Sequence, residues 1–400
     1  MKMKSMFVVV GVFFATGLLA IPIAKCSQQK TTGMDYEALA QKLVTQCANI
    51  HEGDYVLVTG GLRDFELLED IAVHVRKVGA CPLVSLYSDR MWRRSFDDVP
   101  AKYDSRSNEF ELKLAGLITA QIDVDFRETE SWLAHVPPER FATFSKSWSL
   151  VNDLMRKRNV RFVHLGNELY PTTERAKLFG VSQKELSKIF WDGVNVDYSK
   201  LQATGKTIKT LLTSGKQVHI TNPNGTDLKM QIEGRPVVVS DGIISADEMQ
   251  TGGAACWVYL PAGEVMLAPV PGTAEGKVVV DRQFFQGSEI LGLTLTFKAG
   301  KLTSMTAKSG LEPLKALYDA AGPGKEEFAV IEIGINPNVH LVPGSRMVGY
   351  MPAGMVTIGI GNNTWAGGEN NVGYSMSNFL PGSTLEVDGK VLVEKGVLKF

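Results

Sequence analysis

The chain has 400 residues, too many for one ordinary core, so two domains with substantial interiors are expected. Hydrophobic residues at 44% and charged residues at 21% exclude a disordered or many-spanning chain. A formal net charge of -1 leaves no global field to draw nucleic acid, and no nucleic-acid partner is expected.

Lys2 and Lys4 precede an uncharged apolar run from Met6 to Ala24, closed by Lys25, Cys26 and Ser27. A basic start before such a run is the pattern of an export signal. Its length also approaches the roughly 20 residues of a spanning helix. Cys26, directly after the run, resembles the bacterial lipoprotein box, whose cysteine is lipidated and becomes the first mature residue. Lys25 departs from the small residue usual before it. Residues 1–26 therefore read as a signal or lipoprotein-type leader, with three outcomes open: a lipidated cell-envelope protein, an uncleaved membrane anchor, or a periplasmic or secreted one. Each places the folded body outside the cytoplasm, and the first two tie it to a membrane through the N-terminus. Cys47, Cys81 and Cys256 show no C-x-x-C spacing, so at most one bridge can form and free thiols are the plainer reading.

Residues 27–33 are polar and read as a tether. A helix is expected over Tyr36 to Ile50, a strand over Asp54 to Thr59, and a helix over Asp64 to Val78, with Gly60 and Gly61 at the turn. The double glycine lacks both G-x-G-x-x-G and the P-loop Lys-Ser/Thr pair. It reads as a tight turn with Asp64 as N-cap. Further strands over Pro82 to Tyr87, Ile118 to Phe126 and Val160 to Gly166 alternate with helical patterns such as Phe144 to Arg156. This alternation predicts an N-terminal α/β domain, 34–205, with a mostly parallel sheet.

Beyond a boundary placed between Ser199 and Gly215 the texture changes. Short strands are expected over Val218 to Thr221, Asp227 to Ile232, Val237 to Val239, Trp257 to Leu260, Lys277 to Val280, Leu291 to Phe297 and Leu302 to Ala307. Asn222 to Gly225 and Lys298 to Lys301 read as hairpin turns, and Leu311 to Ala321 as one helix. The second domain, 206–400, is expected to be β-rich α+β.

Two acidic segments stand out there, Leu260-Pro261-Ala262-Gly263-Glu264-Val265 and Val330 to Asn338 with Glu332 inside an apolar strand. A buried carboxylate needs a cation, a metal or hydrogen-bond donors, and backbone N–H groups or an arginine such as Arg282 would also serve. With Gly225-Thr226-Asp227-Leu228, Asp241-Gly242 and the run from Pro171 to Ser182, these segments resemble the thermophilic metallo-aminopeptidases, the aminopeptidase T and S group. The resemblance spans most of the chain after the leader. It implies metal-dependent release of N-terminal residues from peptides, a divalent metal such as zinc, cobalt or manganese, and a homodimer. It places Glu264 and Glu332 on the first two metal-ligand positions.

The remaining positions depart from the family. Where relatives carry histidine in H-I-A-x-G, Val356 to Asn362 puts Thr357; where they end in H-x-D after G-G-x-N, Gly367 to Ser377 puts Ser375 and Ser377. Hydroxyls are poor replacements for imidazole or carboxylate at such ions. His219 and His340 are the histidines of the second half, and Glu369 and Asp388 its other acidic candidates, although Asp388-Gly389 is a hairpin signal first. Gly373 to Ser377 misses G-x-S-x-G at its last glycine, so a serine nucleophile is not expected. The serines are expected to fill vacated space and to hydrogen-bond Thr357 or water. Two readings follow: a metal-dependent hydrolase with a remodelled or reduced centre, or a non-catalytic protein that holds a peptide or small molecule in the cleft at the cell envelope.

Overall fold

The computed structural model describes residues 34–106, 108–128, 136–285 and 287–400. The leader, the tether and the lipidation candidate Cys26 lie outside the described residues. The first half supplies strands Tyr55–Gly61 (β1), Cys81–Tyr87 (β2), Ala120–Val124 (β3) and Arg161–Leu165 (β4). Its helices are Tyr36–Lys42 (α1), Phe65–Lys77 (α2), Asp89–Asp97 (α3), Glu109–Ala115 (α4), Pro138–Lys157 (α5), Thr173–Phe179 (α6), Gln183–Val194 (α7) and Tyr198–Ser214 (α8). The second half supplies Gln217–Asn222 (β5), Thr226–Gln231 (β6), Val238–Ser240 (β7), Trp257–Leu260 (β8), Glu264–Leu267 (β9), Glu275–Phe285 (β10), Ser288–Lys298 (β11) and Lys301–Thr306 (β12). It continues with Phe328–Gly334 (β13), Val356–Gly361 (β14), Ser375–Leu380 (β15), Thr384–Val387 (β16), Lys390–Glu394 (β17) and Val397–Leu398 (β18), and with helices Ala246–Thr251 (α9) and Glu312–Ala320 (α10).

Short polar side chains start many of the helices. Asp35, Ser88, Thr172, Ser182 and Asp197 each accept a backbone N–H at the head of α1, α3, α6, α7 and α8, satisfying donors that have no partner inside the helix. Asp64 behaves otherwise. It stands at the head of α2 but caps nothing, and its carboxylate accepts from the Tyr170 hydroxyl (2.6 Å) instead. The double glycine before it serves packing: a Cβ on Gly60 would lie 2.8 Å from Leu68 Cδ2, and one on Gly61 3.3 Å from Phe126 Cβ.

The first sheet is wholly parallel, in the order β2-β1-β3-β4-β8. β1 is buried at every residue after Tyr55, as a central strand covered on both faces must be, whereas β2 is part-exposed at the edge. β8 was expected only as a strand of the β-rich half. It comes from beyond residue 205 and pairs with β4, Phe162 opposite Trp257 and Leu165 opposite Leu260. Val151, Met155, Ile118 and Ala115 pack against Trp257 and Cys256 beneath it, so the core under α4 and α5 draws on both halves of the sequence.

Two antiparallel sheets follow. The second runs β12-β11-β10-β6-β5-β16-β17-β18 and the third β15-β14-β13-β9-β7. The turn chemistry read from the sequence closes their hairpins: Gly225 (φ 102) joins β5 to β6, and Asp388 (φ 50) with Gly389 (φ 79) joins β16 to β17, Asp388 also accepting from the Lys216 and Gln217 N–H groups. Cys47, Cys81 and Cys256 are free thiols, the first and last buried, and burial pushes Cys47 up to about 12. Among the described residues no helix is long and apolar enough to cross a membrane.

Candidate functional site

β8 ends at Leu260, and after three intervening residues the chain enters β9 at Glu264. That turn is held tightly. Gly263 has φ 131, and a Cβ there would lie 2.6 Å from Asn336 Cβ. Asn336, almost fully buried, donates its amide to Gly193 O (3.1 Å) and Ala262 O (2.6 Å), while Ile335 N–H reaches Gly263 O (2.8 Å). The Asn-Pro-Asn stretch after Glu332 thus clamps the Pro-Ala-Gly stretch before Glu264. Glu264 lies opposite Gly334, and Glu332 lies opposite Met266 on one side and Thr357 on the other. By strand alternation Glu264, Glu332 and Thr357 share one face of the third sheet.

Both glutamates are buried, at 8% and 5% exposure. Glu264 Oε1 accepts from the Asn167 amide (3.0 Å), and Glu332 Oε1 has no partner among the described residues. Burial is the main force on both. It pushes Glu264 up to about 7, with Glu168 adding to it against the Asn167 hydrogen bond. It drives Glu332 well above the usual carboxylate range, with the charges of Glu264 and Glu168 adding. Burial and the like charges around them thus favour the protonated form of both carboxyls.

Asn167 and Glu168 were not singled out in the sequence. They follow β4 with φ 41 and 60, the left-handed region that few residues other than glycine adopt. The signal was faint: an asparagine after a glycine at the carboxyl end of a parallel strand, where α/β proteins place ligands. Tyr350 is a second omission. It is buried and donates weakly to Pro261 O (3.5 Å), and after burial itself the neighbouring Glu264 helps raise its phenol far above the ordinary value.

The positions with hydroxyls behave differently from one another. Thr357 is fully buried, and its hydroxyl donates to Met351 Sδ (2.9 Å), not to Ser375 or Ser377 as expected. The loop carrying Met351 lies over this face: a Cβ on Gly334 would fall 2.1 Å from Pro352 O, and one on Gly349 2.7 Å from Phe379. A thioether and a backbone turn fill the space expected for serines. Ser377 and Ser375 lie opposite Gly359 and Gly361 on the same face, but on the edge strand β15, with Ser375 exposed.

The other candidates lie elsewhere. His219 is bonded to Asp227 (2.8 Å) across β5 and β6, His340 and Glu369 are exposed, and Asp388 is spent on its turn. Arg282 pairs with Glu289 and donates to Ser345 O, leaving Glu332 without it. Among the described residues no three His, Cys, Asp or Glu side chains cluster so as to hold a metal ion. A pair of divalent ions needs several anionic or imidazole ligands each. Two glutamates, an amide and a threonine whose hydroxyl meets sulfur are too few ligands of that kind to fit it.

The thermophilic metalloprotease (M29) family model matches residues 34–322. No curated protein matches the chain. Among solved structures, wild-type AmpT from Thermus thermophilus is similar at 18% identity and a TM-score of 0.68, covering 91% of this chain and 99% of its own. 2,5-Dihydroxypyridine dioxygenase from Pseudomonas putida KT2440 is similar at 14% identity and a TM-score of 0.57, covering 92% of this chain and 98% of its own. At these identities the likeness is one of fold.

Proposed function

The chain belongs to the thermophilic metalloprotease family M29, and from that premise we propose that it is an exported, envelope-tethered aminopeptidase relative in which metal-dependent release of N-terminal residues is lost. Its cleft then serves to bind a peptide or small molecule. M29 is a metallopeptidase family, and the resemblance puts retained ligand positions at Glu264 and Glu332 and replaced ones at Thr357, Ser375 and Ser377. One observation carries the loss: the Thr357 hydroxyl is committed to Met351 Sδ while Glu332 Oε1 beside it is buried without a partner among the described residues.

What the residues do in this reading is hold protons and exclude water. Glu264 shares its burden with the Asn167 amide, and the Met351 loop closes the face. The similarity to a dioxygenase as well as to AmpT supports a frame that hosts more than one chemistry. The export half rests on Lys2, Lys4, the apolar run and Cys26.

Purified protein exposed to zinc, cobalt or manganese is expected to retain no stoichiometric metal by elemental analysis and to release nothing from aminoacyl-anilides. Stoichiometric metal that disappears in Glu332→Gln, with anilide release, overturns the proposal. The intact mass of the same preparation from membranes is expected to begin at diacylated Cys26; a mass beginning at Met1 refutes lipidation.

A further inference from the structure

A cavity of about 300 Å³ lies between the parallel sheet and helices α3, α4 and α5, lined by none of the residues of the metal question. Its size is at the lower end of that of small-molecule sites. Six rings wall it: Tyr87, Trp92, Phe126, Phe144, Trp148 and Phe162. They brace one another, Trp92 meeting Phe144 edge-on at 5.0 Å between centroids, Trp148 at 6.0 Å and Tyr87 nearly parallel at 6.1 Å. Five separate segments of the chain fix this box, so its rings are placed before any ligand arrives.

The charged groups of the wall are of one sign. Glu111 and Asp123 line the cavity, and among its described lining residues there is no lysine, arginine or histidine. Asp123 is already engaged, accepting from the Thr59 hydroxyl on one oxygen and meeting His164 Nδ1 (2.6 Å) on the other. Glu111 is not. Its Oε2 is shielded from solvent with no partner among the described residues, and so is the Trp148 indole Nε1, a donor. A buried acceptor and a buried donor left open on one cavity wall are costly, and a ligand with a donor and an acceptor would satisfy both. Burial first, then Glu111 and Asp123 against a hydrogen bond with Ser85, raises the Tyr87 phenol, so both carboxylates act on the same ring.

We propose that this cavity binds a small organic amine with an aromatic or apolar body. The ammonium donates to Glu111 Oε2 and lies against the electron-rich faces of the box, while an oxygen on the same molecule accepts the Trp148 N–H. Thr59, Tyr87 and Asp123 stand at or near the carboxyl ends of their parallel strands, the end from which ligands enter α/β sheets. The site stands whether or not the glutamate pair binds metal.

Isothermal titration calorimetry on the full chain tests it with three probes of one shape: tyramine, tyrosol with a hydroxyl in place of the ammonium, and 4-hydroxyphenylacetate with a carboxylate. Tyramine is expected to bind about tenfold or more tightly than tyrosol, and the anion least. Glu111→Gln is expected to bring tyramine down to tyrosol, whereas Trp148→Phe weakens both alike. Absence of tyramine binding, equal affinity for tyrosol, or a folded Glu111→Gln with unchanged preference overturns the assignment. The comparison of probes on the unaltered chain decides the matter even if a variant fails to fold.

Discussion

Asp125 in the parallel half and Glu332 in the third sheet are buried to the same degree, at 1% and 5% exposure, and differ in what meets them. Burial would raise Asp125, yet Arg127 (2.9 Å) and the fully buried Arg175 (3.2 Å) hold it well below the usual carboxylate range. Glu332 is also desolvated, and among the described residues it meets the like charges of Glu264 and Glu168. Taking a charge out of water is costly in either place, and only one of the two sites supplies the opposite charge. The parallel half has the electrostatics of a finished interior. The third sheet has those of a buried carboxyl pair with no opposite charge beside it among the described residues.

The largest test restores that partner. Thr357→His, Ser375→His and Ser377→Asp, combined with Met351→Ala to clear the thioether from Thr357, are expected to give micromolar or tighter zinc binding, on the order of 8 kcal/mol, by calorimetry. A folded variant that binds no zinc shows that these positions do not correspond to the family's ligands. Next in size is Arg175→Met, which leaves Asp125 with Arg127 as its bonded cation. A loss of about 3 kcal/mol in denaturant unfolding at pH 7 is expected. No loss would mean that Arg127 alone compensates the acid and that the two regions differ less in their electrostatics.

The smallest effect has the opposite sign. Glu264 and Glu332 are raised in the folded chain, so it holds protons that the unfolded chain gives up above about pH 4.5. The stability this confers is complete below that pH and is lost as pH rises through about 7, the value for Glu264. Glu332→Gln, with chelator present, is expected to raise the melting temperature by roughly 3–5 °C at pH 8 and to leave it nearly unchanged at pH 4.5. A fall at pH 8 instead would mean that a cation already compensates Glu332.

The alternation of strands and helices, the hairpins at Asn222 to Gly225 and Asp388-Gly389, and the exceptional character of Glu264 and Glu332 were legible because each is written in local residues. Three things were not. Asn167 and Glu168 reach the glutamates through two left-handed backbone positions, a choice made by tertiary packing. Met351 answers Thr357 from a loop whose course nothing in its own composition fixes. The rings of the aromatic cavity come from β2, α3, β4, α5 and the stretch after β3, and no window of sequence contains them together. Asp64 was read by its local rule and obeys a distant one, since the Tyr170 hydroxyl outcompetes the helix head.

β8 has a consequence in time. The parallel sheet is finished by a strand made more than ninety residues after β4 ends, a separation on the order of 20 s of synthesis at the slower ribosomal rates. Until residue 260 emerges, β4 has no strand to pair with on that side, an open edge of the kind that recruits strands from other chains. Such late, long-range closure slows folding, because the loop between the strands must be ordered before the pairing rewards it. The turn that carries Glu264 follows directly on that strand, yet the residues that clamp it, Ile335 and Asn336, are made later still, so the carboxyl is enclosed only after the parallel sheet is complete.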